Sequence, residues 1–127
     1  MRGFLTLCTT VEPEPTGAYT LTGVGANTYV IPGEGALSVP VWVSITPDDD
    51  ETGEFRVDGV LREGAPVDSS WREVVAAFEV EVEFATSGHT VSGVAMLEVE
   101  SPKPGEYTLY LRRGDDILHK QRLRIED

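Results

Sequence analysis

Apolar and polar residues alternate with a period of two through most of this chain. Phe78, Val80, Val82 and Phe84 interleave with Glu79, Glu81 and Glu83. Leu37, Val39, Val41, Val43 and Ile45 interleave with Ser38, Pro40, Trp42, Ser44 and Thr46. Near the end, Tyr107, Leu109 and Leu111 alternate with Glu106, Thr108, Tyr110 and Arg112, and a second alternating run goes from Ile117 to Ile125. Successive side chains of a strand point to opposite faces, so this period marks strands with one buried and one wet face. Continuous apolar runs would instead mark a parallel sheet covered on both sides.

The same grammar places strands over Gly3–Val11, Ala18–Val24, Leu37–Thr46, Glu54–Leu61, Phe78–Phe84 and Thr90–Glu100, with two more in the terminal hairpin. Between them, Glu12–Gly17, Pro32–Gly35, Asp48–Gly53, Arg62–Ser70, Ser87–His89 and Ser101–Gly105 carry turn chemistry, because Pro presets φ and Gly permits positive φ. Gly23–Asn27 suggests a bulge or tight bend. Pro40 cannot donate to a ladder, which predicts an edge strand or a bulge for its segment. Ser70-Trp71-Arg72-Glu73 fits a capping box and is compatible with one short helix over 71–77. Together these signals predict an all-β fold. They describe a single antiparallel β-sandwich of about eight strands, immunoglobulin-like in general shape, forming one domain over 1–127.

The terminal hairpin poses a register problem. A two-residue turn at Gly114-Asp115 pairs Leu111 with Leu118 but sets Leu109 against Lys120. A three-residue loop over Gly114–Asp116 pairs Tyr107 with Leu123 and keeps both apolar stripes on one face. A one-residue slip would turn a whole strand over, so the longer loop is expected.

Charge narrows the partners. The chain has 127 residues and a formal net charge of −12. Phosphate backbones and anionic membranes repel such a chain, so neither nucleic acid nor membrane is an expected partner. Five of the ten Lys and Arg residues lie in the final hairpin: Arg112, Arg113, Lys120, Arg122 and Arg124. The outward stripe Lys120, Arg122 and Arg124 has the spacing to answer Glu79, Glu81 and Glu83 on a neighbouring strand or across two protomers. No apolar run approaches the ~20 residues that span a bilayer. The single cysteine, Cys8, excludes an internal disulfide framework, and a reducing, cytoplasmic setting is expected.

Candidate chemistry is sparse. No nucleophile elbow, P-loop or dinucleotide fingerprint is present. His89 and His119 with one cysteine make no zinc pattern; His119 shares the parity of Leu123 and Ile125, which suggests a partly buried, satisfied ring. Asp48–Glu51 is an acidic loop of the kind that binds Ca²⁺, but it lacks the D-x-D-x-D-G ligand spacing. Arg113-Gly114-Asp115 matches a tripeptide read by integrin-type receptors, and Gly-Asp turn chemistry explains it more simply. No catalytic residue, metal or cofactor is expected. Trp42 and Tyr110 are the candidate partner-binding residues, as large aromatics on otherwise polar strand faces.

Phe4-Leu5-Thr6-Leu7-Cys8, followed by Gly17, Leu21, Gly23 and Gly25, and the closing Pro104, Gly105 and Tyr107, resemble a family of short bacterial β-sandwich proteins of unknown function. That resemblance implies a β-sandwich and brings no catalytic residues with it. The expected role is a non-catalytic protein-interaction or scaffolding module of bacterial or phage origin, acting on a protein partner or by self-association. Two alternatives stand beside it: a structural component of a larger assembly, such as a virion decoration or tail protein, and a Ca²⁺-dependent binding module.

Overall fold

The computed structural model describes residues 1–64, 74–85 and 89–127. Among these residues there is no helix and there are ten strands: β1 (Arg2–Leu7), β2 (Thr10–Pro13), β3 (Tyr19–Thr22), β4 (Thr28–Val30), β5 (Leu37–Thr46), β6 (Gly53–Glu63), β7 (Val74–Phe84), β8 (Val91–Val99), β9 (Gly105–Arg113) and β10 (Asp116–Glu126). They form a three-stranded sheet β1-β5-β8, a five-stranded sheet β4-β10-β9-β6-β7 and a separate hairpin β2-β3. One core cluster draws on both larger sheets. Val39, Val41, Val43 and Ile45 of β5 enter it with Leu97 of β8, and Leu109, Leu111 and Ile125 come from β9 and β10. Each is an apolar member of an alternating run, so burial follows the period read from the sequence.

The architecture departs from the expected single antiparallel sandwich in several places. β5 is a central strand, not an edge strand, despite Pro40. In an antiparallel ladder a residue's N and C=O face the same neighbour. The Pro40 carbonyl accepts the Cys8 N–H at 3.0 Å, so the missing N–H lies on the β1 side, where β1 has just ended. The ladder to β8 is untouched there. The Cys8 carbonyl, which Pro40 cannot serve, accepts instead from the buried Tyr29 hydroxyl at 2.8 Å.

The first predicted strand is two strands. Pairing passes from β5 to β3 at Thr9, whose N–H donates to the Thr22 carbonyl at 2.8 Å. The chain then enters the other sheet through β4, which runs parallel to β10, the one parallel pair among the described ladders. Val74–Ala77 opens β7 rather than continuing a helix, as the β-branched pair Val74-Val75 favours. Residues 70–73 of the proposed capping box, and 87–88 of the turn before β8, lie outside the described residues.

The terminal hairpin keeps the expected pairing of Tyr107 with Leu123 but reaches it differently. Arg113 pairs with Asp116, so the turn holds only Gly114 and Asp115, and a bulge between Ile117 and His119 supplies the extra residue. The bulge moves the rest of β10 back into phase. The proposed Glu–Lys/Arg ladder does not form: β7 and β10 are separated by β9 and β6. Arg56 pairs with Glu79 instead, and Arg122 with Glu106.

Candidate interaction face

The inner positions of β1, β5 and β8 are spent on the core. Their outer positions therefore set what the three-stranded sheet shows to solvent. Thr6, Trp42 and Val94 form one row across it, Phe4, Ser44 and Ser92 the next, and Met96 with the buried Pro40 a third. Phe4 is 61% exposed and Met96 46%, while Trp42 is half-buried. Tyr19, 46% exposed, reaches the same face from β3, its ring edge-on to Trp42 with centroids 6.2 Å apart. Edge-to-face packing at this separation is favourable for aromatic pairs.

Local backbone chemistry holds the β2-β3 hairpin over this face. The Gly25 N–H donates to the Leu7 carbonyl at 2.9 Å. Gly23 has φ +65°, and a Cβ there would collide with Thr9, so only glycine lets the chain turn this closely. The flanks of the face are polar: Ser44 and Ser92 hydroxyls lie 2.9 Å apart, Thr46 and Thr90 2.7 Å, and Ser38 donates to Glu98 at 2.7 Å. Hydroxyl pairs thus border the Trp42–Tyr19 pair, and Phe4 stands in the Ser44–Ser92 row.

Tyr110 is placed otherwise. It is 6% exposed, buried beside Val60 on the five-stranded sheet, and so is not a surface anchor. Val60 and Tyr110 are both buried although they stand on the polar parity of their strands. Parity alone does not show whether a second face is covered.

The remaining singled-out residues have structural partners. His119 is partly buried, as expected. Its Nδ1 accepts the Leu5 N–H at 2.9 Å on the open edge of β1, and Phe4 packs on its ring. Burial holds its pKa below the ordinary histidine value. Cys8 is fully buried, and burial pushes its thiol pKa up, opposite to what a nucleophile needs. In the acidic loop, Glu51 accepts the Asp48 backbone N–H at 2.8 Å and pairs with the Met1 ammonium at 3.0 Å and with Arg113. These contacts, the backbone one foremost, draw its carboxyl down to about 2. Arg113, the first residue of the Arg-Gly-Asp run, also stacks over the Phe55 ring at 4.6 Å. Among the described residues no group of three or more His, Cys, Asp or Glu is arranged to hold a metal ion, and no helix is long and apolar enough to cross a membrane.

Sequence reasoning singled out Trp42 on this outer face and did not single out Phe4, Tyr19 or Met96. Phe4 had a signal, since it stands opposite in parity to Leu5 and Leu7. Tyr19 had none, because the fold of its hairpin over β5 depends on the handover at Thr9.

Compared with protein families and with curated proteins, the chain matches none. Among solved structures it is similar to a β-glucosidase from Listeria innocua in complex with glucose, with a TM-score of 0.56 and 14% identity, covering 98% of this chain and 16% of that one. A β-glucosidase from Kluyveromyces marxianus gives 0.52 and 16%, covering 80% of this chain and 14% of that one. At such identity the likeness is one of fold, and it extends over a small part of each of those proteins.

Proposed function

We propose that this chain is a non-catalytic interaction module, an immunoglobulin-like sandwich that presents Phe4, Trp42, Tyr19 and Met96 to a protein partner. The observation that carries this reading is the exposure of Phe4, Tyr19 and Met96 around the half-buried Trp42 on the outer face of β1-β5-β8. Two further features support the sandwich. The three- and five-stranded sheets share one core. Tyr107, near the start of β9, donates its hydroxyl to the Lys103 carbonyl four residues back at 2.8 Å, the corner that pins the chain between sheets in such folds. That the solved neighbours match only over a segment of a longer chain suits a module that works beside other domains.

The absence of catalysis is part of the proposal. Cys8 is buried, and Glu79, Glu81 and Glu83 are exposed along the outer face of β7. Quantitative affinity capture from the source cell tests the reading, comparing the wild-type chain with Phe4→Asp and Met96→Asp. A protein held by the wild type and lost from both variants is expected, or a concentration-dependent oligomer by light scattering that both variants abolish. If wild type and variants capture the same proteins and all are monomeric, the face is not an interface.

A further inference from the structure

Two strand edges of this fold lie open toward each other. Among the described residues β7 is hydrogen-bonded only to β6 and β8 only to β5. Between them is a cleft of about 170 Å³. Val43, Ile45, Val80, Val82 and Val91 form its apolar walls. Gly93, at an inward position of β8, adds no side chain, and a Cβ built there meets nothing within 4 Å. Cavities of this scale take up a benzene-sized group.

The rim is acidic. Glu81 lines the cleft, with Glu79 and Glu83 beside it on the outer face of β7. Glu83 stands directly opposite Glu54, a like-charge pair that disfavours its own ladder. Arg56 stands opposite Glu81 but is drawn to Glu79 and Asp58. Among the described residues no ion pair reaches Glu54, Glu81 or Glu83.

We infer that this seam receives an extended segment of a partner protein in which apolar residues alternate with Lys or Arg. An added strand pairs with the free N–H and C=O groups of an open edge. Residues opposed in a ladder share a face, so alternate side chains of the segment enter the cleft and the others lie beside the Glu stripe. The charge selects the occupant. A second copy of this chain carries the same acidic edge and a net charge of −12. Its own basic stripe lies on β10, where Arg124 is paired on both sides and Arg122 is held by Glu106. This site adjoins the Phe4–Trp42–Tyr19 face through Ser92 and Val94 but uses none of its aromatic residues, so the two are tested by different variants.

Titration of the nitrogen-labelled chain with two short peptides, one alternating Lys and Val and one alternating Glu and Val, tests the inference by NMR. The Lys–Val peptide is expected to shift amides of β7 and β8 and to bind more weakly as salt rises. Gly93→Leu, which fills the cleft, and the double change Glu81→Gln with Glu83→Gln are each expected to weaken binding about tenfold or more, a loss of ~1.4 kcal/mol or more. Phe4→Asp should leave it unchanged. If Gly93→Leu does not fold, the Gln pair still gives the readout. No binding at about 1 mM peptide, equal binding of the Glu–Val peptide, undiminished binding by both variants, or shifts centred on Trp42 would overturn the proposal.

Discussion

Single atoms decide how Pro40 is tolerated in the middle of a sheet. Its ring removes one donor, and the Tyr29 hydroxyl fills the vacancy at the Cys8 carbonyl. Burial raises the Tyr29 pKa to about 12, so the hydroxyl stays protonated and donating throughout the range in which the protein is handled. Tyr29→Phe leaves a buried carbonyl unpaired and is expected to cost about 1–3 kcal/mol in denaturant unfolding. Pro40→Ala restores an N–H aimed at that carbonyl, so Tyr29→Phe should cost measurably less in the Pro40→Ala background; equal costs in both would show that the two groups do not share the acceptor. Gly59 makes a second point at this scale. It faces Phe78 across the β6–β7 ladder, and a Cβ there would run into the buried phenyl ring. Gly59→Ala is expected to destabilise by about 1–3 kcal/mol by overpacking, whereas Gly93→Ala, opening onto free space, should fall well below that in the same unfolding measurement. None of this was legible in the sequence. Tyr29 fell between the assigned segments, and Gly59 gave no hint of the ring lying over it.

Strands, by contrast, were legible wherever alternation ran long enough. The runs in β5, β7, β8 and β9 appear with their apolar members inward, and β10 does so beyond its bulge, where Leu123 and Ile125 are buried while Ile117, before it, is exposed. The short β4 escaped notice because three residues cannot display a period. The separation of β1 from β2 was hidden because alternation continues across it while hydrogen bonding changes partner. The terminal hairpin shows how far a face argument reaches: the requirement that Tyr107 meet Leu123 was right, but turn length and bulge were interchangeable ways to meet it. Elements also set the response to acid. Both Glu51 and His119 have lowered pKa values. A group with a depressed native pKa contributes stability above its unfolded pKa and loses it as pH falls toward the native one. The melting temperature should therefore decline first below the ordinary histidine value of 6.5, as β1 loses its acceptor, and again between 4.5 and about 2. His119→Asn keeps an acceptor without the titration and should remove the first decline; Glu51→Gln should flatten the second. Unaltered profiles by calorimetry would assign the acid response to other groups.

At the scale of the molecule, the class was readable and the covering of each sheet face was not. Parity identified Trp42 as an aromatic on an outer face, and the same parity misplaced Tyr110, because whether an outer face is covered depends on segments far away in sequence. The charge stripes were likewise visible, but which strands become neighbours is a matter of topology, and β9 and β6 lie between them. That topology also ties the first residues to the last. β10 is the partner of β4, and its His119 serves the open edge of β1. A chain emerging from the ribosome thus holds β1 and β4 without their final neighbours until the last strand has been made. Acquisition of the native state is a late event, governed by closure of very long loops, and refolding in the millisecond-to-second range is expected from such non-local pairing. Stopped-flow fluorescence of a Trp71→Phe variant, which leaves Trp42 as the one tryptophan, would time it, and the interval before β10 arrives is when uncovered edges are open to wrong partners.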